Sequence, residues 1–214
     1  MSNLVPMVIQ RTPEGERAMD IYSCLLKERI IDLSSDFNNV NCSTIRASLL
    51  YLDNESHDDI WIYVDSPGGS VFSGMAVLDT IATIQSKVNV VVTGMAASMG
   101  SVLLVGATGK RYMLPHAQVM THQVLSGAQG QSVDITRSAN HTHNTQETLL
   151  LFFMRCTGRS REELQKVMNR DTWFTAQEAI DFGLADEILE RKHQYRFDVP
   201  QSAMRLKDAN EDWS

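Results

Sequence analysis

A single serine between a β-branched stretch and an apolar stretch constrains this chain more than any other feature. Residues 88–93 are short and rich in β-branched side chains, which is typical of a buried strand, whereas residues 99–105 are apolar and favour a helix. Ser98 then lies at a strand-to-helix turn, beside the free N–H groups of the helix. Such a serine is a candidate nucleophile, although serine is also a common helix N-cap.

A second strand–turn–helix unit precedes this one. Residues 60–65 alternate like a strand, and residues 71–84 have helical spacing. The turn between them contains two glycines, at 68 and 69, which allow a backbone N–H to approach a ligand closely because no Cβ obstructs it. The N–H groups of Gly69 and Met99 could therefore form an oxyanion hole.

Two further side chains could complete a catalytic set with Ser98. His122 lies at the end of a short apolar strand at 118–123, and histidine is well suited to take a proton from serine near neutral pH. Asp171 lies just before a helix start at Thr175, where a buried acid could orient the imidazole. Each also has a simpler interpretation, since a lone histidine is usually structural and a lone aspartate usually belongs to a turn or cap.

These motifs resemble the signatures of the proteolytic subunit of the ATP-dependent Clp protease, the ClpP family. The resemblance runs in order from about Leu4 to about Leu189. Four motifs carry it: Gly68-Gly69-Ser70, Met95-Ala96-Ala97-Ser98-Met99-Gly100, Met120-Thr121-His122-Gln123 and Arg170-Asp171. The resemblance implies that Ser98 is the nucleophile, His122 the general base and Asp171 the acid that orients His122. It also implies that the N–H groups of Gly69 and Met99 hold the oxyanion.

The resemblance also implies a fold and an assembly. The fold is α/β and crotonase-like, a stack of strand–strand–helix units with a protruding handle helix. Strand–helix alternation up to about residue 120 independently indicates the α/β class. The assembly is two heptameric rings stacked face to face. Residues 132–157 fit the handle, because the middle of this segment is nearly devoid of large apolar side chains.

Length and composition fit one domain, since the chain has 214 residues and 43% of them are hydrophobic. The resemblance divides it into an axial pore segment at 1–17, a protease domain at 18–193 and a polar tail at 194–214. Without the resemblance, the N-terminal segment would be interpreted as a frayed terminus. We also predict helices at 18–26 and 38–52 and a last strand at 186–189. The buried face of the second helix is predicted to carry Val40, Ile45, Leu49 and Leu52.

Charge and cysteine content limit the class of protein. A net charge of -7 argues against a nucleic-acid partner. Three cysteines without metal-ligand spacing, Cys24, Cys42 and Cys156, fit free thiols in a reducing compartment. The sequence shows neither a signal-peptide pattern nor an apolar run long enough to span a membrane. We therefore expect a cytoplasmic protein that does not bind a membrane. His141 and His143 face different sides of a helix, so we predict no metal site there. We also predict that the protein needs no cofactor.

By resemblance, two strand edges pair with an extended peptide substrate. The residues implied are Ser70, Val71, Leu125, Ser126 and Gly127. Family members commonly have Pro-Leu-Gly-Gly after the histidine, whereas this chain has Val124-Leu125-Ser126-Gly127. Val124 restores a backbone N–H that proline lacks, and Ser126 reduces flexibility. Cleavage preference or rate can therefore differ from that of the family.

Two contact surfaces are also implied by the resemblance. Arg170 would form ion pairs between opposing rings, but the acid that usually precedes it is Asn169 here. Trp61 and Tyr63 would help line an apical pocket where a hexameric AAA+ Clp ATPase docks; alternatively, both aromatic side chains belong to the core. The sequence contains no Walker-type phosphate loop, so unfolding of substrates is expected to come from that partner.

The leading interpretation is a serine endopeptidase of the endopeptidase Clp type, which hydrolyses unfolded proteins to small peptides inside a closed chamber. One alternative is a non-catalytic ring subunit, which the departures at Val124 and Ser126 keep open. Another is an acyl-CoA enzyme of the crotonase type, since that fold also holds an oxyanion with paired N–H groups. The joint presence of Ser98, His122 and Asp171 argues against this third interpretation.

Overall fold

The computed structural model describes residues 5–12 and 15–189. The strands are β1 (Met7–Thr12), β2 (Gly15–Asp20), β3 (Ile30–Leu33), β4 (Ile60–Ser66), β5 (Val88–Ala97), β6 (Arg111–Met113), β7 (Gln118–Thr121), β8 (Thr172–Thr175) and β9 (Glu187–Ile188). The helices are α1 (Ile21–Lys27), α2 (Asn39–Glu55), α3 (Val71–Thr83), α4 (Met99–Val105), α5 (Ser132–Thr157), α6 (Arg161–Met168) and α7 (Ala176–Phe182). The tail predicted at 194–214, the end of the predicted protease domain at 190–193, and residues 1–4, 13 and 14 of the predicted pore segment lie outside the described residues.

A largely parallel sheet organises the fold. Its strands lie in the order β3-β4-β5-β6-β9, and β7 pairs with β5 and β8 beside this path. In β4 the side chains alternate as predicted, with Ile60, Ile62 and Val64 fully buried and Trp61 and Tyr63 partly exposed. Helices alternate with these parallel strands along the chain, which confirms the predicted α/β class.

Helix α4 lies in the core of the protein. All seven of its residues, Met99–Val105, are buried, because none is charged and the one polar side chain, Ser101, donates to the Ser98 carbonyl oxygen. It packs against β5 and β4 and against helices α3 and α5. The residue that precedes α4 is therefore held from several directions at once.

The N-terminal part of the chain differs from its prediction. Residues 18–20, predicted as the start of a helix, form the end of β2, which pairs antiparallel with β1. Helix α1 begins only at Ile21, because Asp20 is extended and its carboxylate accepts a hydrogen bond from the Ser23 N–H at 2.9 Å. The described residues from Met7 to Asp20 thus form two paired antiparallel strands and not a frayed end.

The buried face of α2 was predicted with one wrong residue. Val40 is 74% exposed, and Cys42 is buried in its place together with Ile45, Leu49 and Leu52. The spacing of 42, 45, 49 and 52 follows one stripe of a helix. Val40 lies two positions from Cys42 and therefore points to the other side.

Helix α5 has the properties predicted for the handle. It is the longest helix among the described residues, and its buried side chains are confined to the C-terminal half, at Leu149, Leu150 and Phe153. It ends at Thr157, and the C-cap residue Gly158 adopts a left-handed conformation with φ of 69°. No helix within 5–12 and 15–189 is both long and apolar enough to cross a bilayer.

The two C-terminal helices begin where the sequence predicts. The segments Ser160-Arg161-Glu162-Glu163 and Thr175-Ala176-Gln177-Glu178 have the pattern of capping boxes. Both capping boxes are present, at Ser160 before α6 and at Thr175 before α7. The last strand is shorter than the predicted 186–189, because only Glu187 and Ile188 pair with β6.

Candidate active site

Ser98 lies between β5 and α4, as predicted, in an uncommon backbone conformation. Its φ is 53° and its ψ is -116°, a region that non-glycine residues adopt only when their surroundings hold them there. Its N–H donates to the Met120 carbonyl oxygen at 2.9 Å, and its carbonyl oxygen accepts from the Ser101 N–H at 3.0 Å. The Ser98 hydroxyl makes no capping bond to α4. The interpretation of Ser98 as only an N-cap is therefore wrong.

His122 contacts the Ser98 hydroxyl directly. Its Nε2 lies 2.8 Å from Ser98 Oγ, and its side chain is 13% exposed. The sheet explains the contact, since β7 runs parallel to β5 with Met120 opposite Ala97. Ser98 and His122 each follow their strand within two residues, so both emerge at the same end of the sheet.

Asp171 lies on the other side of the imidazole. Its Oδ1 is 3.3 Å from His122 Nδ1. Strands β7 and β8 are antiparallel with Thr121 opposite Thr172, which brings the residues just beyond this pair together. The prediction that Asp171 is buried is wrong, because it lies in the exposed turn before β8 and its side chain is 67% exposed. Water therefore weakens its charge interaction with His122 in the single chain.

The glycine turn after β4 closes over Ser98. A Cβ atom on Gly68 would lie 2.6 Å from Ser98 Cβ and 2.9 Å from the Met99 nitrogen, and the φ of Gly68 is 96°. Gly69 and Met99 line the same cavity of about 280 Å³ as Ser98 and His122. Neither the Gly69 N–H nor the Met99 N–H has an acceptor among the described residues. Both donors are thus available to a bound oxyanion.

The wall of this cavity is mostly apolar. Its larger apolar side chains are Val71, Met99, Val102, Met120, Val124, Leu125, Leu149, Phe153 and Met168. Thr121 adds a polar atom, since its hydroxyl oxygen is buried without a hydrogen-bond partner in the described part of the chain.

The structure separates the five predicted substrate-binding residues. Val71 and Leu125 line the cavity at Ser98, whereas Ser126 and Gly127 line a neighbouring cavity of about 430 Å³ beside α5. Ser70 lines neither cavity. Its hydroxyl instead caps α3 by accepting from the Ser73 N–H at 3.3 Å.

Sequence reasoning named none of the residues of α5 and α6 that line the cavity, which are Leu149, Phe153 and Met168. It also missed Gln146 in α5, which lines the neighbouring cavity. Its Oε1 accepts a hydrogen bond from the Val124 N–H at 2.6 Å. The presence of this N–H was inferred from the sequence, but its partner was not. The only signal available was a polar residue where the handle helix returns to the core.

The predicted contact surfaces lie at the protein surface. Asn169 and Arg170 are exposed, and Arg170 Nη1 lies 3.4 Å from the Asn169 carbonyl oxygen. Trp61 stacks on Tyr112 with ring centroids 5.7 Å apart. Trp61 and Tyr63 are both partly exposed, so neither is a fully buried core residue.

Two of the three cysteine thiols are buried in ways that disfavour reaction. Cys24, Cys42 and Cys156 are free thiols, as predicted. Burial raises the pKa of the Cys42 and Cys156 thiols, which makes their reactive thiolate forms scarcer. In the described part of the chain, no three histidine, cysteine, aspartate or glutamate side chains converge as a metal site would require.

A serine hydroxyl, an imidazole and a carboxylate in this order form the arrangement of serine hydrolases. The family model described as Clp protease matches residues 13–192 of this chain. The chain therefore belongs to the Clp protease family, which confirms the resemblance drawn from the four motifs. The parallel sheet and the long helix α5 agree with the crotonase-like fold of that family.

Proposed function

We propose that this chain is a serine endopeptidase that hydrolyses unfolded polypeptides. The observation that carries the proposal is the 2.8 Å contact between Ser98 Oγ and His122 Nε2, made by a serine whose hydroxyl has no capping role. In this proposal the hydroxyl attacks a peptide carbonyl while His122 accepts its proton. His122 then passes the proton to the leaving amine, and water releases the acyl group from Ser98.

The neighbouring groups support these roles. A carboxylate 3.3 Å from Nδ1 favours the tautomer with the proton on Nδ1, which leaves Nε2 free to accept from the serine hydroxyl. The free N–H groups of Gly69 and Met99 would stabilise the oxyanion of the tetrahedral intermediate. Apart from the peptide and the water molecule that releases the acyl group, the groups in these steps belong to the chain itself.

Membership of the Clp protease family supports a finer proposal about the assembly. The chain would form two stacked heptameric rings in the cytoplasm, with α5 and the pair Asn169 and Arg170 at the ring–ring contact. A hexameric AAA+ Clp ATPase would dock at Trp61 and Tyr63 and feed unfolded substrate past the segment 1–17. Inside, an extended peptide would pair with residues 69–71 and 125–127.

Labelling with a fluorophosphonate tests the catalytic part of this proposal. We expect one covalent adduct, mapped to Ser98 by peptide mass spectrometry, and none in Ser98→Ala. An unlabelled wild type that assembles correctly would contradict the peptidase proposal and favour a non-catalytic ring subunit. Labelling together with hydrolysis of acyl-CoA thioesters but not of peptides would favour a crotonase-type enzyme.

Substrate dependence tests the division of labour with the ATPase. We expect this chain to hydrolyse short peptides slowly by itself, and to degrade folded proteins only when the cognate ATPase and ATP are present. The reason is that the sequence carries no nucleotide-binding phosphate loop. Rapid degradation of a stable folded protein by the isolated chain would contradict this expectation.

A further inference from the structure

One hydrogen bond holds the backbone of the loop that follows His122. Residues 123–130 are described throughout, and they contain neither helix nor strand. Within this loop, the Val124 N–H is the one backbone donor with a hydrogen-bond acceptor, and that acceptor is Gln146 Oε1 at 2.6 Å. Since the loop has so few internal restraints, this single bond has a large share in fixing its position.

The bond lies at the wall between two cavities. Val124 lines both the cavity that contains Ser98 and the neighbouring one beside α5, and Gln146 lines the second. The side chain of Leu125, the next residue, lines the cavity at Ser98 although it is 79% exposed. So exposed a side chain is held in place mainly by its backbone, which Gln146 anchors.

A second amide holds the other side of the same loop. Gln123 Nε2 donates to the Asn169 carbonyl oxygen at 3.1 Å. Gln123 therefore connects His122 to the segment that leads to Asp171, whereas Gln146 connects the loop beyond it to α5. The two bonds have separable effects, because the first lies beside His122 and the second beside Leu125.

We propose that Gln146 is a positioning residue for peptide binding, acting through the Val124 N–H. It holds Val124 and Leu125 in the conformation that forms one wall of the substrate cleft. Without it, a bound peptide would have to order the loop, and the entropy lost would weaken binding. The chemistry at Ser98 would change little. This inference rests on the proposed peptidase function, and it requires a residue other than proline at 124.

Steady-state hydrolysis of a short fluorogenic peptide by the assembled protein tests the proposal. Gln146→Met keeps the length of the side chain but removes the acceptor. We expect KM to rise about 3- to 10-fold, the range for loss of one neutral hydrogen bond, with kcat changed less than about 2-fold. Gln146→Glu retains an acceptor, so its KM should stay close to that of wild type. Gln165→Met, the same change at an exposed position of α6, is the matched control.

A double-mutant cycle shows whether Gln146 acts through Val124. Val124→Pro removes the donor, and Val124→Ala loses side-chain volume but keeps the N–H. In the Val124→Pro background, Gln146→Met should have no further effect on KM, whereas in the Val124→Ala background it should have its full effect. An equal effect in both backgrounds, or an unchanged KM in Gln146→Met, would overturn the proposal.

Amide hydrogen exchange separates this proposal from the proposed function. The Val124 amide should exchange faster in Gln146→Met than in wild type, while amides of α4 stay protected. If wild type labels at Ser98 and cleaves peptide but this exchange is unchanged, the positioning role fails and the peptidase stands. If wild type neither labels nor cleaves, the peptidase proposal fails and the positioning role falls with it.

Discussion

Gly68 is the residue whose substitution most directly tests how the serine is held. A Cβ atom at this position would lie 2.6 Å from Ser98 Cβ, 2.7 Å from the Ala97 carbonyl oxygen and 2.9 Å from the Met99 nitrogen. Two of these atoms belong to the backbone at the end of β5 and the start of α4, so they cannot rotate away as a flexible side chain could. Gly68→Ala must therefore displace either its own turn or the backbone around Ser98.

The expected magnitude has two parts. A φ of 96° at residue 68 costs an alanine about 1–3 kcal/mol of backbone strain. Relief of the contacts requires a shift of several tenths of an ångström or more at the Ser98 turn, and a displacement of about 1 Å in an active site can reduce the rate about 100-fold. We therefore expect Gly68→Ala to lower the rate of fluorophosphonate labelling by about 10- to 100-fold.

Gly158→Ala is the matched control. Gly158 also has a positive φ, of 69°, but a Cβ there would meet no atom within 4 Å. This variant should have a comparable backbone penalty and a lower midpoint of thermal unfolding, with an unchanged labelling rate. Both quantities are measured for each variant. If a folded Gly68→Ala labels as fast as wild type, the turn at Gly68 does not position Ser98.

Two further predictions concern the assembly and the response to acid. Asn169→Asp gives Arg170 a carboxylate partner, worth about 0.5 kcal/mol per contact. This variant should strengthen ring–ring association, with a smaller gain at high salt. Equal ring–ring affinities of the variant and wild type, measured by sedimentation velocity across a dilution series, would contradict this. Burial alone would raise the pKa of Asp186, but hydrogen bonds from Arg111 lower it on balance. The pair therefore stabilises the folded protein at neutral pH, and this stabilisation is lost as pH falls through the pKa of Asp186 in the folded state. Asp186→Asn should lower the midpoint of thermal unfolding at neutral pH and reduce its loss on acidification, and an unchanged pH dependence would refute the role of the pair.

The sequence by itself predicted the elements whose signals are local. Helix α4, the alternation of β4 and the two capping boxes depend on residues within one or two turns of one another. The four motifs lie at the ends of such elements, so the family, the α/β class and the residues around Ser98 could be named before any contact was known. The sequence also revealed that residue 124 has an N–H.

The tertiary structure decided which of these residues meet and which of them are covered. Only the pairing of β7 with both β5 and β8 brings His122 between Ser98 and Asp171. Likewise, only the packing of α5 reveals that Gln146 accepts from the Val124 N–H.

The failed predictions have two origins. The exposure of Asp171 depends on where strands distant in sequence meet. Residues 18–20 and Val40 were misassigned although local signals were present, namely the Asp20 cap before α1 and the spacing of residues along α2. Local patterns determine which backbone conformation has a favourable free energy. Burial and contact are set by strand register and by packing between elements far apart in the chain.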